Sequence, residues 1–481
     1  MRDLAGNAVD AALFAGAEYA DARAIVRRSQ RVATKNGAVE AVSDEESAGI
    51  GVRVLVKGAW GFACDRRLSE DGARDAAERA VAFARASASR ARRRPVELAP
   101  AAADHGEYRT PVGRDAIDVS ATEKIDVCLG AESTLRHADV KITEASVRAQ
   151  REQRAFRSSE GADVFQEISE CGAGIEAYAI ADGRVQVRSY PSAHGGSSAQ
   201  AGWEYVESLA FDQEGPRVGE EAAALLRAAP CPSTVTTLVI DSEQMALQVH
   251  ESVGHPTELD RVFGTEAAYA GTSWLAPDDV GDLRYGSERM NITADPTTPL
   301  GLGTFAYDDE GVPARPKPVV KAGVLSGFLD SRETAARIGG EGGSMRADGW
   351  SRMPLVRMTN LHLEPGEGTL EELLGDVDEG VLVATNKSWS IDDKRLNFQF
   401  GTEIAWEIKR GKLGRMLRDA TYMGVTPSFW ATLDAVAGRD EWRMYGLTNC
   451  GKGQPGQHAH VSHGASPARF RNVQVGVRSA A

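Results

Sequence analysis

A strand that leads directly into a capped helix is the feature that most constrains how this chain can fold. Thr234–Ile240 is rich in β-branched and apolar residues, which predicts a β-strand. Asp241 follows at once, and together with Gln244 it resembles the capping box that begins an α-helix. Met245 and Val249 continue at helical spacing. We therefore expect this segment to hold the residues at the end of the helix rigidly in place.

Two histidines and a glutamate, His250, Glu251 and His255, stand at that end. Neutral imidazoles are good zinc ligands, and a glutamate beside them can accept a proton from water at the metal. The combination indicates metal-dependent hydrolysis. The alternative interpretation is that His250 and His255 are structural histidines at a helix end, one packed in the core and one capping a carbonyl.

The spacing of the two histidines is unusual for a zinc-binding helix. In the H-E-x-x-H pattern the histidines are four residues apart and about 40° apart around the helix, whereas five residues correspond to about 140°. We expect Gly254 to end the helix in a left-handed conformation and Pro256 to push His255 out of the α region. His255 would then lie just past the helix end and fold back toward the ion held by His250.

The candidate third ligand is Cys450, which lies in the glycine-rich stretch Thr448–Gln457. Lys452 or a metal could lower the pKa of its thiol. Cys450 would complete a set of two histidines and one cysteine, which leaves the fourth zinc position for water.

The overall composition is that of a globular protein with two or three domains: 481 residues, of which 42% are hydrophobic and 26% charged. The formal net charge of −14 argues against nucleic acid as the main partner, because phosphate binding needs a cationic surface. No run of about eighteen apolar residues predicts a membrane span, and the first residues lack the layout of a signal peptide. Five scattered cysteines without C-x-x-C spacing favour free thiols in the cytoplasm.

The order of predicted elements indicates an α+β protein. N-terminal α/β units precede a large β-rich domain, a curved antiparallel sheet or barrel-like structure, which carries the metal-binding helix. We place an N-terminal α+β domain at 1–95, a linker at 96–117, a second α+β domain at 118–230 and the C-terminal metal-bearing domain at 231–481. The first boundary follows Pro95, which ends an alanine-rich helix.

Four motifs identify a resemblance to a known family. They are His250-Glu251-Ser252-Val253-Gly254-His255 with Glu258 and Asp260, Phe305-Ala306-Tyr307-Asp308-Asp309-Glu310-Gly311, Pro354-Leu355-Val356-Arg357-Met358-Thr359-Asn360, and Asn449-Cys450-Gly451-Lys452. With these motifs the chain resembles a TldD member of the TldD/PmbA metallopeptidase family. The resemblance spans nearly the whole chain and is strongest in its last half.

This resemblance implies a zinc-dependent peptidase with His250, His255 and Cys450 as ligands and Glu251 as general base. It implies peptides or unfolded polypeptides as substrates, cleaved inside a closed cavity. It also implies a heterodimer with a PmbA-like (TldE) partner that lacks the metal ligands, with a homodimer as the alternative. Because this chain has all of the ligands, it matches the active, metal-bearing subunit.

Several further residues have two interpretations each. Glu258 and Asp260 either orient the imidazoles or are solvated carboxylates after a helix end. Arg357 and Asn360 either position the substrate backbone or form structural hydrogen bonds in a loop.

The cluster His458, His460 and His463 departs from what we expect of the family. In a loop rich in glycine, glutamine and serine, three histidines favour a solvated tract, and a second metal site is the alternative.

Two other functions compete with the peptidase. One is a non-catalytic binding or regulatory module that zinc stabilises and that acts with a PmbA-like partner. The other is a zinc amidohydrolase that acts on non-peptide amides. Substitution of Glu251 separates the first from the peptidase, and a panel of substrates separates the second.

Overall fold

The N-terminal half of the protein is built on one large sheet. The computed structural model describes residues 1–90, 94–193 and 195–476. The elements of this half are, in chain order, α1 (Arg2–Phe14), β1 (Tyr19–Lys35), β2 (Ala38–Val56), β3 (Ala59–Asp65), α2 (Glu70–Arg90), β4 (His105–Arg109), α3 (Ala121–Thr134), β5 (Val140–Ser158), β6 (Asp163–Ala181), β7 (Arg184–Tyr190), β8 (Ser197–Ala199), α4 (Glu204–Ser208) and α5 (Phe211–Leu225).

The two predicted N-terminal units share this sheet. Its strand order is β3-β2-β1-β5-β6-β4, with β7 and β8 also paired to β6. β1 of the first unit pairs antiparallel with β5 of the second, from Asp21 opposite Ser158 to Lys35 opposite Glu144. The predicted linker 96–117 is not wholly a linker, because it contributes β4, which pairs parallel with β6. Its sequence, His-Gly-Glu-Tyr-Arg, has little apolar content, and accordingly no residue of this strand is fully buried.

Small residues allow the helices to pack closely on this sheet. The buried face of α2 is made of alanine and valine, and it packs with α1 against β1, β2 and β3. Gly61 on β3 shows how close the contact is, since a Cβ there would lie 2.1 Å from the carbonyl oxygen of Ala80 on α2. α3 and α5 cover a second apolar cluster on β5 and β6. Residues 91–93 and 477–481, which the predicted domains at 1–95 and 231–481 include, lie outside the described residues.

The C-terminal half is rich in strands. Its elements are β9 (Ala229–Pro230), β10 (Thr234–Ile240), α6 (Ser242–Val249), α7 (Leu259–Val262), β11 (Ile292–Ala294), β12 (Lys317–Lys321), β13 (Val324–Leu325), α8 (Arg332–Ala336), β14 (Met345–Arg346), β15 (Leu355–Val356), β16 (Asn360–Leu363), α9 (Leu370–Gly375), β17 (Glu379–Ile391), β18 (Asn397–Lys409), β19 (Lys412–Arg418), β20 (Thr421–Val425), α10 (Thr426–Trp430), β21 (Leu433–Val436), β22 (Arg443–Lys452), β23 (Gln457–Ala465) and β24 (Ala468–Val475).

Five of these strands form a closed barrel. They follow the order β17-β10-β24-β20-β18, and pairing of β18 with β17 closes the ring. This confirms the predicted α+β class with a barrel-like C-terminal domain. Phe429 and Phe470 stack in the barrel core with their ring centroids 4.3 Å apart. In the part of the chain that the structure describes, no helix is long and apolar enough to cross a membrane.

A second sheet of the C-terminal half packs against the helix that carries the histidines. Its order is β13-β12-β11-β16-β23-β22. α6 follows directly from barrel strand β10 and packs against β17 on one side and β22 and β23 on the other. The end of α6 therefore lies between the barrel and the second sheet.

Candidate metal centre

The helix that carries the histidines begins as its sequence predicts. Asp241 is the N-cap of α6, and its Oδ1 accepts a hydrogen bond from the backbone N–H of Gln244 at 3.0 Å. The reciprocal half of the predicted capping box is absent from the hydrogen bonds of this cap. The amide of Gln244 instead donates to the hydroxyl of Tyr422 at 2.8 Å, and the N–H of Asp241 donates to the carbonyl of Val383 on β17. The helix is thus tied to the barrel at its first turn.

A π-helical turn brings the two histidines together. His250–Gly254 forms this turn, and the N–H of His255 donates to the carbonyl of His250, five residues earlier. The backbone stays in the right-handed α region at Gly254 and at His255. The expectation that Gly254 would end the helix and that Pro256 would displace His255 is therefore wrong. Widening one turn to i→i+5 places residues five apart on the same face without breaking the helix.

Gly254 is needed for space and not for a left-handed conformation. A Cβ at this position would lie 2.1 Å from Sδ of Met358, which is fully buried. The turn that joins the histidines therefore depends on close contact with the segment before β16.

The side chains of His250, His255 and Cys450 converge on one point. One donor atom from each lies within 4.8 Å of the others, and all three residues are buried. Sγ of Cys450 lies 3.5 Å from Nε2 of His250 and 3.9 Å from Nε2 of His255. Tetrahedral zinc with bonds of about 2.3 Å to sulfur and 2.0–2.1 Å to nitrogen separates these ligand atoms by about 3.6 Å. The donor set therefore fits a zinc ion in chemistry and in size.

The other ring nitrogen of each histidine has a partner in the protein. Nδ1 of His255 lies 3.0 Å from Oε2 of Glu258. Nδ1 of His250 lies 2.7 Å from Nε2 of His463. Both Nε2 atoms are thereby directed toward Cys450.

The electrostatic surroundings favour the metal-binding forms of these groups. Burial lowers the pKa of both His250 and His255, which keeps their imidazoles neutral. Burial raises the pKa of the Cys450 thiol, but Arg357 and His255 outweigh this effect, so the pKa lies below its usual value. Lys452, which the sequence offered beside a metal as a group that could lower the pKa of the thiol, forms ion pairs with Asp260 at 2.7 Å and Glu258 at 3.4 Å.

Glu251 is buried and paired with a cation. Nη1 of Arg395, in the loop between β17 and β18, lies 2.5 Å from Oε2 of Glu251. Arg395 adopts a positive φ of 64°. No sequence signal points to this arginine, because its loop is distant in sequence from Glu251 and has no motif.

The four remaining candidate residues have different contacts in the structure. Glu258 contacts the imidazole of His255. Burial raises the pKa of Glu258, but Lys452, the hydrogen bond with His255 and Arg261 outweigh this effect and hold the pKa well below its usual range. Asp260 pairs with Lys452. Arg357 donates to the carbonyl of Cys450 and supports the strand that holds it. The side chain of Asn360 donates to Asp295 and Thr304 and accepts from Gly303, so the geometry gives no support to a substrate contact there.

The three later histidines do not form one solvated tract. They lie on β23, where His458 is exposed and His460 is half-buried beside Glu170. His463 is fully buried. The prediction of a solvated tract is therefore wrong for His463, because β23 is buried on both faces from Val461 onward and His463 lies on the same face as Ala459 and Val461.

Comparison with known proteins places this arrangement in a family. A family model described as the PmbA/TldA metallopeptidase C-terminal domain matches residues 233–477, and models of domain 1 and the central domain match residues 20–84 and 114–229. The chain belongs to the PmbA/TldD metallopeptidase family. A Methanothermobacter thermautotrophicus protein named as a metalloprotease is 30% identical to this family member over 459 residues, 95% of each chain.

Solved structures share the fold of this PmbA/TldD family member. A Thermotoga maritima protein described as a modulator of a DNA gyrase superposes with a TM-score of 0.77 at 20% identity, covering 98% of this chain and 99% of its own. TldE from Thermococcus kodakarensis superposes with a TM-score of 0.71 at 18% identity, covering 98% and 100%. At these identities the likeness shows the fold alone.

Proposed function

We propose that this chain is a zinc-dependent metallopeptidase that hydrolyses peptide bonds of small peptides or unfolded polypeptides. The observation that carries the proposal is the buried convergence of His250, His255 and Cys450, with Glu251 next to the first ligand. Two imidazoles and a thiolate are a donor set that zinc prefers, and three protein ligands leave a position for water or substrate.

The metal ligands and Glu251 would have different roles in the reaction. A zinc ion in this set would supply a Lewis acid that polarises the scissile carbonyl and lowers the pKa of an attacking water. Glu251 would accept the proton of that water and return it to the leaving amine. Because Arg395 holds Oε2 of Glu251, Oε1 is the oxygen that we assign to proton transfer.

We further propose that the chain is the TldD-type subunit and acts with a PmbA/TldE-type partner in the cytoplasm. Possession of the full donor set supports the first part, and the fold shared with a TldE protein is consistent with the second. All five cysteines are free thiols, which fits a reducing compartment.

Hydrolysis of an unstructured peptide by the purified chain, alone and with a PmbA/TldE-type partner, tests the proposal. Glu251→Gln should abolish cleavage and keep the zinc, whereas the matched control Glu371→Gln, an exposed glutamate on α9, should keep both. Cleavage by both the parent and Glu251→Gln would remove Glu251 from the mechanism.

Two other outcomes would point to the competing functions. Absence of cleavage by the parent, with and without the partner, would favour the non-catalytic module. Hydrolysis of non-peptide amides only would favour the amidohydrolase.

A further inference from the structure

His463 connects one metal-ligand candidate to the backbone of the second sheet. Its side chain is fully buried on β23. Its Nε2 lies 2.7 Å from Nδ1 of His250, and its Nδ1 lies 3.1 Å from the carbonyl oxygen of Leu361 on β16. Among the described residues, its two ring nitrogens have these two hydrogen-bond partners and no carboxylate partner.

The chemistry of these partners determines where the protons lie. A backbone carbonyl can only accept, so Nδ1 of His463 must carry a hydrogen. A neutral imidazole has one N–H, and therefore Nε2 of His463 is an acceptor. The short contact then requires Nδ1 of His250 to be the donor, and the lone pair of His250 is left on Nε2, the atom that lies 3.5 Å from Sγ of Cys450.

We propose that His463 is a positioning residue that sets the tautomer of His250 and so prepares its Nε2 for the metal before the metal binds. The inference rests on the proposed zinc site. Two hydrogen bonds connect the carbonyl of Leu361 to His463 and His463 to His250. Through them the backbone of β16 determines which ring nitrogen of His250 carries the proton.

The two ligand histidines are thereby oriented by different kinds of acceptor. The acceptor of His255 is the carboxylate of Glu258, whereas the acceptor of His250 is a neutral imidazole. A carboxylate acceptor makes an imidazole a stronger electron donor. A thiolate ligand such as Cys450 would lower the Lewis acidity of a bound zinc ion, and a neutral acceptor at His250 would limit any further decrease of that acidity.

The metal-free protein provides a direct test. In protein labelled with ¹⁵N-histidine, the His250 ring should show protonated Nδ1 and unprotonated Nε2, with assignment by a His250→Asn variant. Protonation of His250 at Nε2 in the parent would overturn the proposal without recourse to any variant of His463.

Zinc affinity, measured by chelator competition, provides the second test. His463→Leu removes the acceptor and should weaken zinc binding about 10–100-fold. His463→Gln can accept from His250 through its amide oxygen and donate to Leu361, and it should recover most of the affinity. The matched control His362→Gln, which changes a buried histidine on the neighbouring strand β16, should bind zinc within a few-fold of the parent.

The remaining outcomes are distinguishable. Parental affinity in His463→Leu, or an equal loss in His463→Leu and His463→Gln, would show that His463 only fills space. Both readouts are independent of peptide cleavage. An inactive protein that still shows the expected tautomer and zinc affinities would contradict the proposed peptidase and leave the role of His463 standing.

Discussion

Nδ1 of His255 lies 3.0 Å from Oε2 of Glu258, three residues further along the chain, and both side chains are buried. An anionic acceptor fixes the ring and strengthens its other nitrogen as a metal ligand. Glu258→Gln keeps the shape and removes the charge. We expect it to weaken zinc binding about 10–100-fold, measured by competition with a chelator of known affinity.

Asp260→Asn is the matched control for this substitution. Asp260 shares the ion pair with Lys452 but has no hydrogen bond to an imidazole among the described contacts. Its effect on zinc affinity should be clearly smaller. Equal effects would mean that the charge around Lys452, and not the contact with His255, governs the affinity.

The donor set could be predicted from the sequence, whereas the geometry that unites it could not. His250, His255 and Cys450 stand out because their residue types and motifs are distinctive. The π-helical turn depends on the packing of Gly254 against Met358, a contact between distant segments that no local pattern encodes. Local propensity therefore predicted that the helix ends at Gly254, whereas tertiary packing keeps the helix continuous there.

His463 was missed although its sequence carries a usable pattern. Ala459, Val461 and His463 recur at every second position, as one face of a strand should, and His458 and His460 on the opposite face are exposed and half-buried. Ala459 also lies directly opposite Cys450 in the sheet. By contrast, the pairing of β1 with β5 joins two segments that sequence reasoning treats as separate domains, and such non-local pairing cannot be predicted from either strand alone.

Gly254→Ala tests the importance of the wide turn. The new methyl group would lie 2.1 Å from Sδ of Met358, so either the turn or the methionine must move. We expect a loss of about 1–3 kcal/mol in the free energy of unfolding, typical of overpacking, together with weaker zinc binding. Guanidinium denaturation and chelator competition measure the two effects.

Met358→Ala supplies the matched background for this substitution. With the methionine shortened, Gly254→Ala should cost less than it does in the parent, and the double-mutant cycle should show this coupling. Additive effects would contradict the close contact between the two positions.

Arg395→Met tests the ion pair on Glu251. Removal of the guanidinium frees Oε2 of Glu251 and lets the carboxylate rotate away from the reacting groups. Small errors in position are costly, so we expect kcat to fall by about 10–100-fold. Zinc content should not change, because Arg395 contacts Glu251 and none of the three ligand side chains in the described hydrogen bonds.

Arg395→Lys separates charge from geometry at this position. Lysine keeps a positive charge but lacks the planar fork of arginine, so an intermediate kcat is expected. Parental kcat in Arg395→Met would show that the ion pair plays no part in turnover. Loss of zinc in that variant would instead assign Arg395 to the stability of the metal site.

The buried position of His362 predicts that the folded state loses stability at acidic pH. Its Nδ1 accepts from the N–H of Gly464 at 2.9 Å, its Nε2 lies 3.0 Å from Oγ1 of Thr298, and burial lowers its pKa to about 4. Above pH ~6.5 the residue is neutral in both the folded and the unfolded state and does not change the stability. Between about pH 6.5 and 4 only the unfolded chain gains a proton, so stability falls as the pH falls, by about 3 kcal/mol in total.

The free energy of unfolding of His362→Asn, compared with that of the parent at pH 7 and pH 4.5, isolates this contribution. Asparagine offers an acceptor near Nδ1 but does not titrate, so the variant should lose less stability on acidification than the parent, by about 2 kcal/mol. His458→Asn, at an exposed position on β23, should follow the parent at both pH values. Equal acid sensitivity in the parent and His362→Asn would show that His362 is protonated within the folded protein, and its buried contacts would then have to rearrange below neutral pH.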